Sequence, residues 1–191
     1  MKKELIIIKL NPLIAEIIEN LQLDLIKLFN GIFEDIHIIE NSKGILKKNY
    51  NEHRNQYNAS RILDDMKEIG IKEEYYRVLA ITSEDLYTER LNFVFGVAFI
   101  PSQSIIPESV SAIISFKRLK EEFYNLSKDD VLFRDRVIKE AAHELGHTLG
   151  LKHCINECVM RFSNFIDDTD EKPARFCDSC LNKIKKNYGL G

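Results

Sequence analysis

Apolar residues at the start of the chain fall into short dense runs and longer stretches with helical spacing. Residues 5–10 form a dense run that is typical of a buried strand, and Asn11 and Pro12 end it. Across residues 13–28 the apolar side chains recur every three or four positions, which predicts an amphipathic helix. The chain is therefore expected to open with a strand and a helix.

The same alternation continues as far as residue 82. We predict a second strand at residues 36–39, a polar loop at residues 41–58 and a third strand at residues 78–82. The helix before the third strand should end at Gly70 and bury one apolar face, which consists of Ile62, Leu63, Met66 and Ile69. Strands that alternate with helices are typical of right-handed crossovers, so this part of the chain predicts a parallel sheet.

Two further apolar runs, residues 92–100 and 110–116, are joined by a turn-rich segment that contains no helix pattern. At least one of them should therefore lie antiparallel to its neighbour, which makes the sheet mixed. An edge strand here could hold an extended peptide through main-chain hydrogen bonds. Two ordinary core strands without a ligand explain the pattern equally well.

A long helix is predicted over residues 131–149, with its buried face formed by Val131, Ile138, Ala142, Leu145 and Leu149. After Gly150 the sequence becomes loop-rich, with too few apolar residues for a core of its own. The fold class predicted from these patterns is α/β (α+β), a compact, twisted mixed sheet of about five strands with flanking helices.

Composition and charge exclude several classes of protein. The 191 residues carry a net charge of -3, which disfavours nucleic acid as a partner because nucleic-acid binders usually carry a basic field. Residues 1–9 begin like a signal peptide, but Lys9 ends the apolar run too early. No segment approaches the roughly 20 apolar residues of a membrane span. We therefore expect a cytoplasmic protein without a membrane partner.

The long helix carries the first cluster of metal-binding residue types. His143 and His147 are one turn apart, about 40 degrees around the helix axis, so both imidazoles can reach one ion. Glu144 lies about 60 degrees from His147, close enough to face a metal-bound water. Two structural histidines on an ordinary helix are the alternative interpretation.

Gly150 favours the metal site over that alternative. Glycine adopts the left-handed conformation without steric strain, so the helix should end there and the chain should turn back. His153 can then return to the same ion as a third ligand. Three neutral imidazoles leave a fourth position open for water, which is the arrangement of a catalytic zinc site.

The four cysteines of the chain form a second cluster: Cys154, Cys158, Cys177 and Cys180. Their spacing, C-x3-C followed by C-x2-C, is typical of a structural zinc site with four protein ligands. Such a zinc would link the tail to the end of the long helix and replace the core that the tail lacks. Two disulfides are disfavoured in a cytoplasmic setting, and acidic neighbours disfavour a nucleic-acid-binding zinc ribbon. We thus expect two Zn²⁺ per chain.

Residues 143–153, HELGHTLGLKH, match HExxHxxGxxH, so this segment is similar to the metzincin metallopeptidases. Together with Cys154, the Cys158–Met160 triplet and the distal Cys177–Cys180 segment, it resembles the archaemetzincin family specifically. The resemblance implies a metzincin-like fold and places Met160 in a methionine turn under the metal, although core packing is the usual role of a lone methionine. One departure is visible, since three residues separate the first two cysteines where the family usually has four.

These observations predict one catalytic domain in two parts. Residues 1–150 should form the sheet and the active-site helix, and residues 151–191 a small zinc-bound subdomain. The leading hypothesis is a zinc metallopeptidase for a peptide or protein substrate, with Glu144 as general base and then general acid on a zinc-bound water. A catalytically silent zinc module for protein or nucleic acid, and a zinc hydrolase for a non-peptide amide, are the alternatives.

Three further polar residues are assigned weaker roles. Glu140, one turn before Glu144, could support that carboxylate, although a solvated helix charge is the commoner explanation. His37 and His53 lie outside both clusters and are expected to be ordinary surface or loop histidines.

Overall fold

Strands in the computed structural model, which describes residues 3–40, 44–101 and 109–188, form two sheets. In chain order they are β1 (Glu4–Lys9), β2 (Asp35–Glu40), β3 (Tyr50–Asn51), β4 (Gln56–Asn58), β5 (Arg77–Thr82), β6 (Leu86–Tyr87), β7 (Gly96–Ala98) and β8 (Val110–Ser115). The main sheet has the order β2-β1-β5-β8-β7, and the small sheet has the order β3-β4-β6. Only β7 of the main sheet runs antiparallel to its neighbour, β8. The predicted mixed sheet of about five strands is confirmed.

The helices in the described part of the chain are α1 (Ala15–Leu28), α2 (Ile45–Lys48), α3 (Ala59–Lys72), α4 (Asp130–Thr148), α5 (Ile166–Glu171) and α6 (Asp178–Tyr188). Two short 3-10 turns, Lys117–Leu119 and Glu121–Tyr124, precede α4. No helix within these residues is both long and apolar enough to cross a membrane.

Both faces of the main sheet are covered by helices. Leu5 and Ile7 of β1 belong to the core that α1 and α4 complete, whereas Ile6 and Ile8 belong to the core on the α3 side. Successive side chains of a strand point to opposite faces, so a strand buried on both faces is apolar at nearly every position. Full burial of one such side chain stabilises the folded state by about 1.5–3 kcal/mol, which explains the dense apolar run at residues 5–10.

The prediction of a polar loop at residues 41–58 is wrong for residues 44–58, because α2, β3 and β4 lie there. Residues 41–43 are not among the described residues. Polar side chains hold this region together. Asn49 donates to Asp65 over 2.7 Å, and Gln56 donates to Asp85 over 2.9 Å. Elements that are stabilised by polar side chains show no apolar periodicity in the sequence.

Two details of the helix predictions are also wrong. α3 continues past Gly70 to Lys72, and Gly70 serves instead as a contact point, since a Cβ there would collide with the Ser109 side chain. Val131 is 82% exposed, because the first turn of α4 extends beyond the core that buries Ile138, Ala142, Leu145 and Leu149. The turn-rich segment between β7 and β8 lies largely outside the described residues, since 102–108 are not among them.

The C-terminal segment contains more regular structure than the predicted loops. It forms α5 and α6, and its apolar residues join the core under α1 and α4; they include Val159, Met160, Phe176 and Ile184. The tail therefore contributes to the main core. The division of the chain at Gly150 into two subdomains stays a prediction.

Candidate metal centre

α4 places the first histidines, and a turn at its C-terminus places the third. The Asp129 side chain caps the helix by accepting from the Leu132 N–H over 2.9 Å. At the other end, Gly150 has φ +83°, the Gly150 N–H donates to the His147 carbonyl, and the Leu151 N–H donates to the Gly146 carbonyl. This pair of bonds is the Schellman motif, which ends the helix and reverses the chain.

The reversal brings His143, His147 and His153 together, with one ring nitrogen of each within 4.8 Å of the others. Nδ1 of His143 lies 2.9 Å from the Val159 carbonyl oxygen, and Nδ1 of His147 lies 2.8 Å from the Leu151 carbonyl oxygen. An Nδ1–H that donates to a carbonyl leaves Nε2 as a free acceptor. The two Nε2 atoms are 3.1 Å apart, near the separation of about 3.3 Å expected for two imidazoles on one tetrahedral zinc.

The surroundings keep these imidazoles neutral, which is the form that binds metal. Burial lowers the pKa of His143 well below its usual value, and burial lowers the pKa of His147 to about 4. Burial and the nearby Lys172 ammonium also lower the pKa of His153. The donor set therefore fits a zinc ion.

Glu144 faces the same cavity as the three histidines. Its side chain lies against β7, where a Cβ added at Gly96 would be 2.6 Å from Glu144 Cγ and 2.9 Å from its Oε1. Burial and the neighbouring Glu140 raise the pKa of Glu144 well above its usual value. The carboxyl group is thus confined between α4 and the edge of the sheet.

Glu140 is buried, with 4% of its surface exposed, so the expectation of a solvated helix charge is wrong. It lines the same cleft as Glu144, one helical turn away, and its negative charge contributes to the raised pKa of Glu144. Lys172, which our sequence reasoning did not select, is also buried and places its Nζ 3.8 Å from Glu140 Oε2. A single lysine 28 positions after Glu144 carries no pattern that would have identified it.

The cavity above these residues has a volume of about 450 Å³. One wall is the chain from Asn92 to Ala98, which includes β7, and another is formed by residues 162–165. The Phe162 ring packs on His153, with ring centroids 4.8 Å apart. The arrangement is a cleft whose floor carries Glu144 and the imidazoles and whose walls are mainly apolar.

The four cysteine sulfurs converge within 4.8 Å of one another, and all four are free thiols. Cys154 and Cys177 Sγ lie 3.8 Å apart, and the Cys177 N–H donates to Cys158 Sγ over 3.3 Å. The three-residue spacing between the first two cysteines therefore still allows convergence. Four thiols at one point fit a zinc ion with no open position.

Met160 connects the two clusters. Its sulfur packs directly against Gly146, the residue before His147, where an added Cβ would collide with it. Its carbonyl accepts from the Cys154 N–H over 2.9 Å. The remaining histidines, His37 and His53, lie at the surface and belong to neither group of converging residues.

Comparisons with known proteins agree with this architecture. The model of peptidase family M54 matches residues 9–186. The archaemetzincin of Archaeoglobus fulgidus is 40% identical over 168 residues, which cover 88% of this chain and 91% of that protein. The crystal structure of archaemetzincin from A. fulgidus, in complex with malonate, has a TM-score of 0.76 at 37% identity and covers 94% of this chain and 99% of its own.

A second solved structure, a zinc-dependent peptidase from Methanocorpusculum labreanum, has a TM-score of 0.80 at 26% identity, with coverage of 94% and 99%. The family match covers residues 9–186 and so includes both clusters of metal-binding residue types, and the relatives extend over most of the chain. The chain therefore belongs to the archaemetzincins, peptidase family M54, and is a zinc metallopeptidase.

Proposed function

We propose that this chain hydrolyses peptide bonds of extended peptide or protein substrates, with Glu144 as general base and acid beside a zinc held by His143, His147 and His153. The observation that carries the proposal is that Glu144 and the three imidazoles lie in one cleft beside the edge strand β7. When bound, zinc supplies Lewis-acid polarisation of the substrate carbonyl and lowers the pKa of water.

The chain contributes the proton transfers. Glu144 accepts a proton from the attacking water and later donates it to the leaving amine. Burial favours this role, because a carboxyl group whose pKa is raised retains a proton more readily than an exposed one. Contact with Gly96 limits where the carboxyl group can move, which keeps it beside the substrate.

β7 supports the extended conformation of the substrate. The Phe95 carbonyl accepts from the Ser115 N–H over 2.8 Å, and the Phe99 N–H donates to the Ser111 carbonyl over 3.0 Å. In an antiparallel ladder the bonded residues alternate, so Gly96 and Ala98 turn their N–H and C=O groups to the other edge. That edge faces the cleft, where an extended peptide can add as the next strand.

A second zinc is proposed at Cys154, Cys158, Cys177 and Cys180, in a structural role. The four thiols join the end of the Gly150 turn to the start of α6. Because Met160, two residues after Cys158, packs against Gly146 of the helix that carries His143 and His147, this link also supports the floor of the cleft.

The mechanism is tested with Glu144→Ala and Glu144→Gln, each assayed on a peptide library by mass spectrometry with zinc content measured in parallel. We expect zinc to be retained and cleavage to fall by about 10²–10⁴-fold, since general acid–base catalysis contributes that much. Glu68→Gln, an exposed glutamate on α3, is the matched control and should cleave normally. Unchanged cleavage by zinc-loaded Glu144→Ala would contradict the mechanism.

A further inference from the structure

Lys172 is the one cation among the described residues that lines the catalytic cleft. Only 1% of its surface is exposed, and its Nζ has no hydrogen-bond partner among the described residues. A buried charged donor without a partner is strongly unfavourable, so its position requires a physical reason. The nearest opposite charge is Glu140, whose Oε2 lies 3.8 Å from Nζ.

Glu140 and Glu144 explain why a cation is needed at this point. The two residues are one turn apart on α4, both at least 95% buried, and both line the same cleft. Two carboxyl groups that share a buried site repel each other when both are charged. A single buried ammonium beside the pair offsets that repulsion and allows both side chains to keep fixed directions.

We propose that Lys172 is a positioning residue for the peptidase reaction: its ammonium group holds Glu140 and, through Glu140, directs the Glu144 carboxyl group into the cleft. The proposal rests on the function proposed above for Glu144. Lys172 does not need to touch the substrate to act in this way.

The structure also shows how Lys172 is held in place. Lys172 directly follows α5, and Asp170 of that helix receives two hydrogen bonds of 2.7 Å from Arg136 on α4. Lys139 adds a third link, from its Nζ to the Asp170 carbonyl over 2.9 Å. α4 therefore carries both the general base and, through Asp170, the segment that supplies the balancing charge.

Lys139 and Arg161 are the other cations that act on Lys172, and both have their own acidic partners. Lys139 pairs with Asp135 over 2.6 Å, and Arg161 lies 3.8 Å from Glu171. Neither lines the cleft. Substitution of Lys172 thus removes the charge that faces the two carboxyl groups, and no neighbour is placed to replace it.

The test compares zinc-loaded Lys172→Met and Lys172→Arg with the wild type, on a peptide that the wild type cleaves. Methionine keeps the volume without the charge, so kcat should fall about 10–100-fold while KM and zinc content stay near the wild-type values. Arginine restores the charge and should recover most of kcat. Lys183→Met, which removes an exposed charge on α6, is the control and should leave kcat unchanged.

A second readout does not depend on activity. In crystal structures of the zinc-loaded proteins, the Glu144 carboxyl group should turn away from the cleft in Lys172→Met and keep its direction in Lys172→Arg. If Lys172→Met does not fold, Lys172→Gln takes its place. Wild-type kcat, or an unmoved Glu144, in the uncharged variant would overturn the role of Lys172, as would equal losses in the methionine and arginine variants.

Failure of the two proposals can be told apart. If the wild type and Glu144→Ala are equally inactive on every peptide, the proposed function fails. The crystallographic readout then still decides whether Lys172 orients Glu144.

Discussion

Gly96, Gly146 and Gly150 each allow a close contact or a turn around the histidine cluster that a Cβ would disturb. Gly146 leaves room for the Met160 sulfur, and Gly96 leaves room for Glu144. Gly150 is different, because a Cβ there would meet only ordinary contacts and the constraint is its φ of +83°. The site thus depends on small residues as well as on the groups that carry the chemistry.

Substitution of Gly150 tests the turn. Gly150→Ala should lower the free energy of unfolding by about 1–2 kcal/mol, because an alanine is strained in the left-handed region. It should also weaken zinc binding at the histidine cluster, since His153 depends on this turn. Gly150→Asn should have a smaller effect, because asparagine tolerates the conformation. Denaturant unfolding and zinc titration measure both effects, and an alanine variant identical to the wild type would contradict them.

Substitution of Gly96 tests the contact between β7 and Glu144, the proposed general base. In Gly96→Ala the new methyl group would overlap Glu144 and approach the Ile113 carbonyl oxygen, so either the carboxyl group or the strand must move. We expect kcat/KM to fall about 100-fold, because small displacements of catalytic groups have effects of that size. Leu23→Ala, at an exposed position of α1 outside the cleft, is the control. Equal kcat/KM values for the two variants would argue against the contact.

At the scale of secondary structure, α4 performs several roles along one helix. Its apolar side chains enter the core, His143 and His147 face the cleft, and Arg136 binds α5. This combination explains why so much of the helix is buried, including residues that carry charge. The apolar pattern alone therefore predicts fewer buried positions on α4 than the structure contains.

The link between α4 and α5 leads to a stability prediction. Asp170→Ala removes two charge-assisted hydrogen bonds from Arg136, whose side chain is only 3% exposed. The free energy of unfolding should fall by about 1.5–3 kcal/mol, although Glu121 still pairs with Arg136 at 2.6 Å. Asp167→Ala, on the exposed side of the same helix, should change the free energy of unfolding by less than about 0.5 kcal/mol. Similar losses in both variants would show that the ion pair is not the cause.

At the scale of the whole molecule, the C-terminal segment is tied to the rest of the chain in two ways. Its apolar side chains enter the core beneath α4, and its cysteines converge next to the Gly150 turn. In the histidine cluster, by contrast, backbone carbonyls already orient two of the imidazoles. The two proposed zinc sites should therefore respond differently when zinc is removed.

Graded chelation tests this difference. Loss of the histidine-bound zinc should abolish activity and leave amide hydrogen exchange nearly unchanged. Loss of the cysteine-bound zinc should increase amide hydrogen exchange across residues 154–188, because no metal ion then joins the four cysteines. Hydrogen-exchange mass spectrometry with parallel zinc analysis measures both stages. Unchanged exchange in that segment after removal of all zinc would contradict a structural role for the cysteine site.

Local patterns were sufficient for much of the fold. The strands at residues 5–10 and 78–82 and the helix over residues 131–149 were predicted because each buries several apolar residues at a regular spacing. α2, β3 and β4 were missed because polar side chains such as Asn49 and Gln56 stabilise them. The role of Gly70 was misassigned because its constraint comes from Ser109, a residue far along the chain.

By itself the sequence determined the family, the parallel arrangement of the first strands and the two sets of metal-binding residue types, since each of these depends on residues close together in the chain. Only the tertiary structure decided that Glu140 and Glu144 are both buried, that Gly96 leaves room for the Glu144 side chain, and that the buried Lys172 lies 3.8 Å from Glu140. The physical reason is that burial and Coulomb interactions depend on distances in space, and the chain brings these groups together from three separate elements.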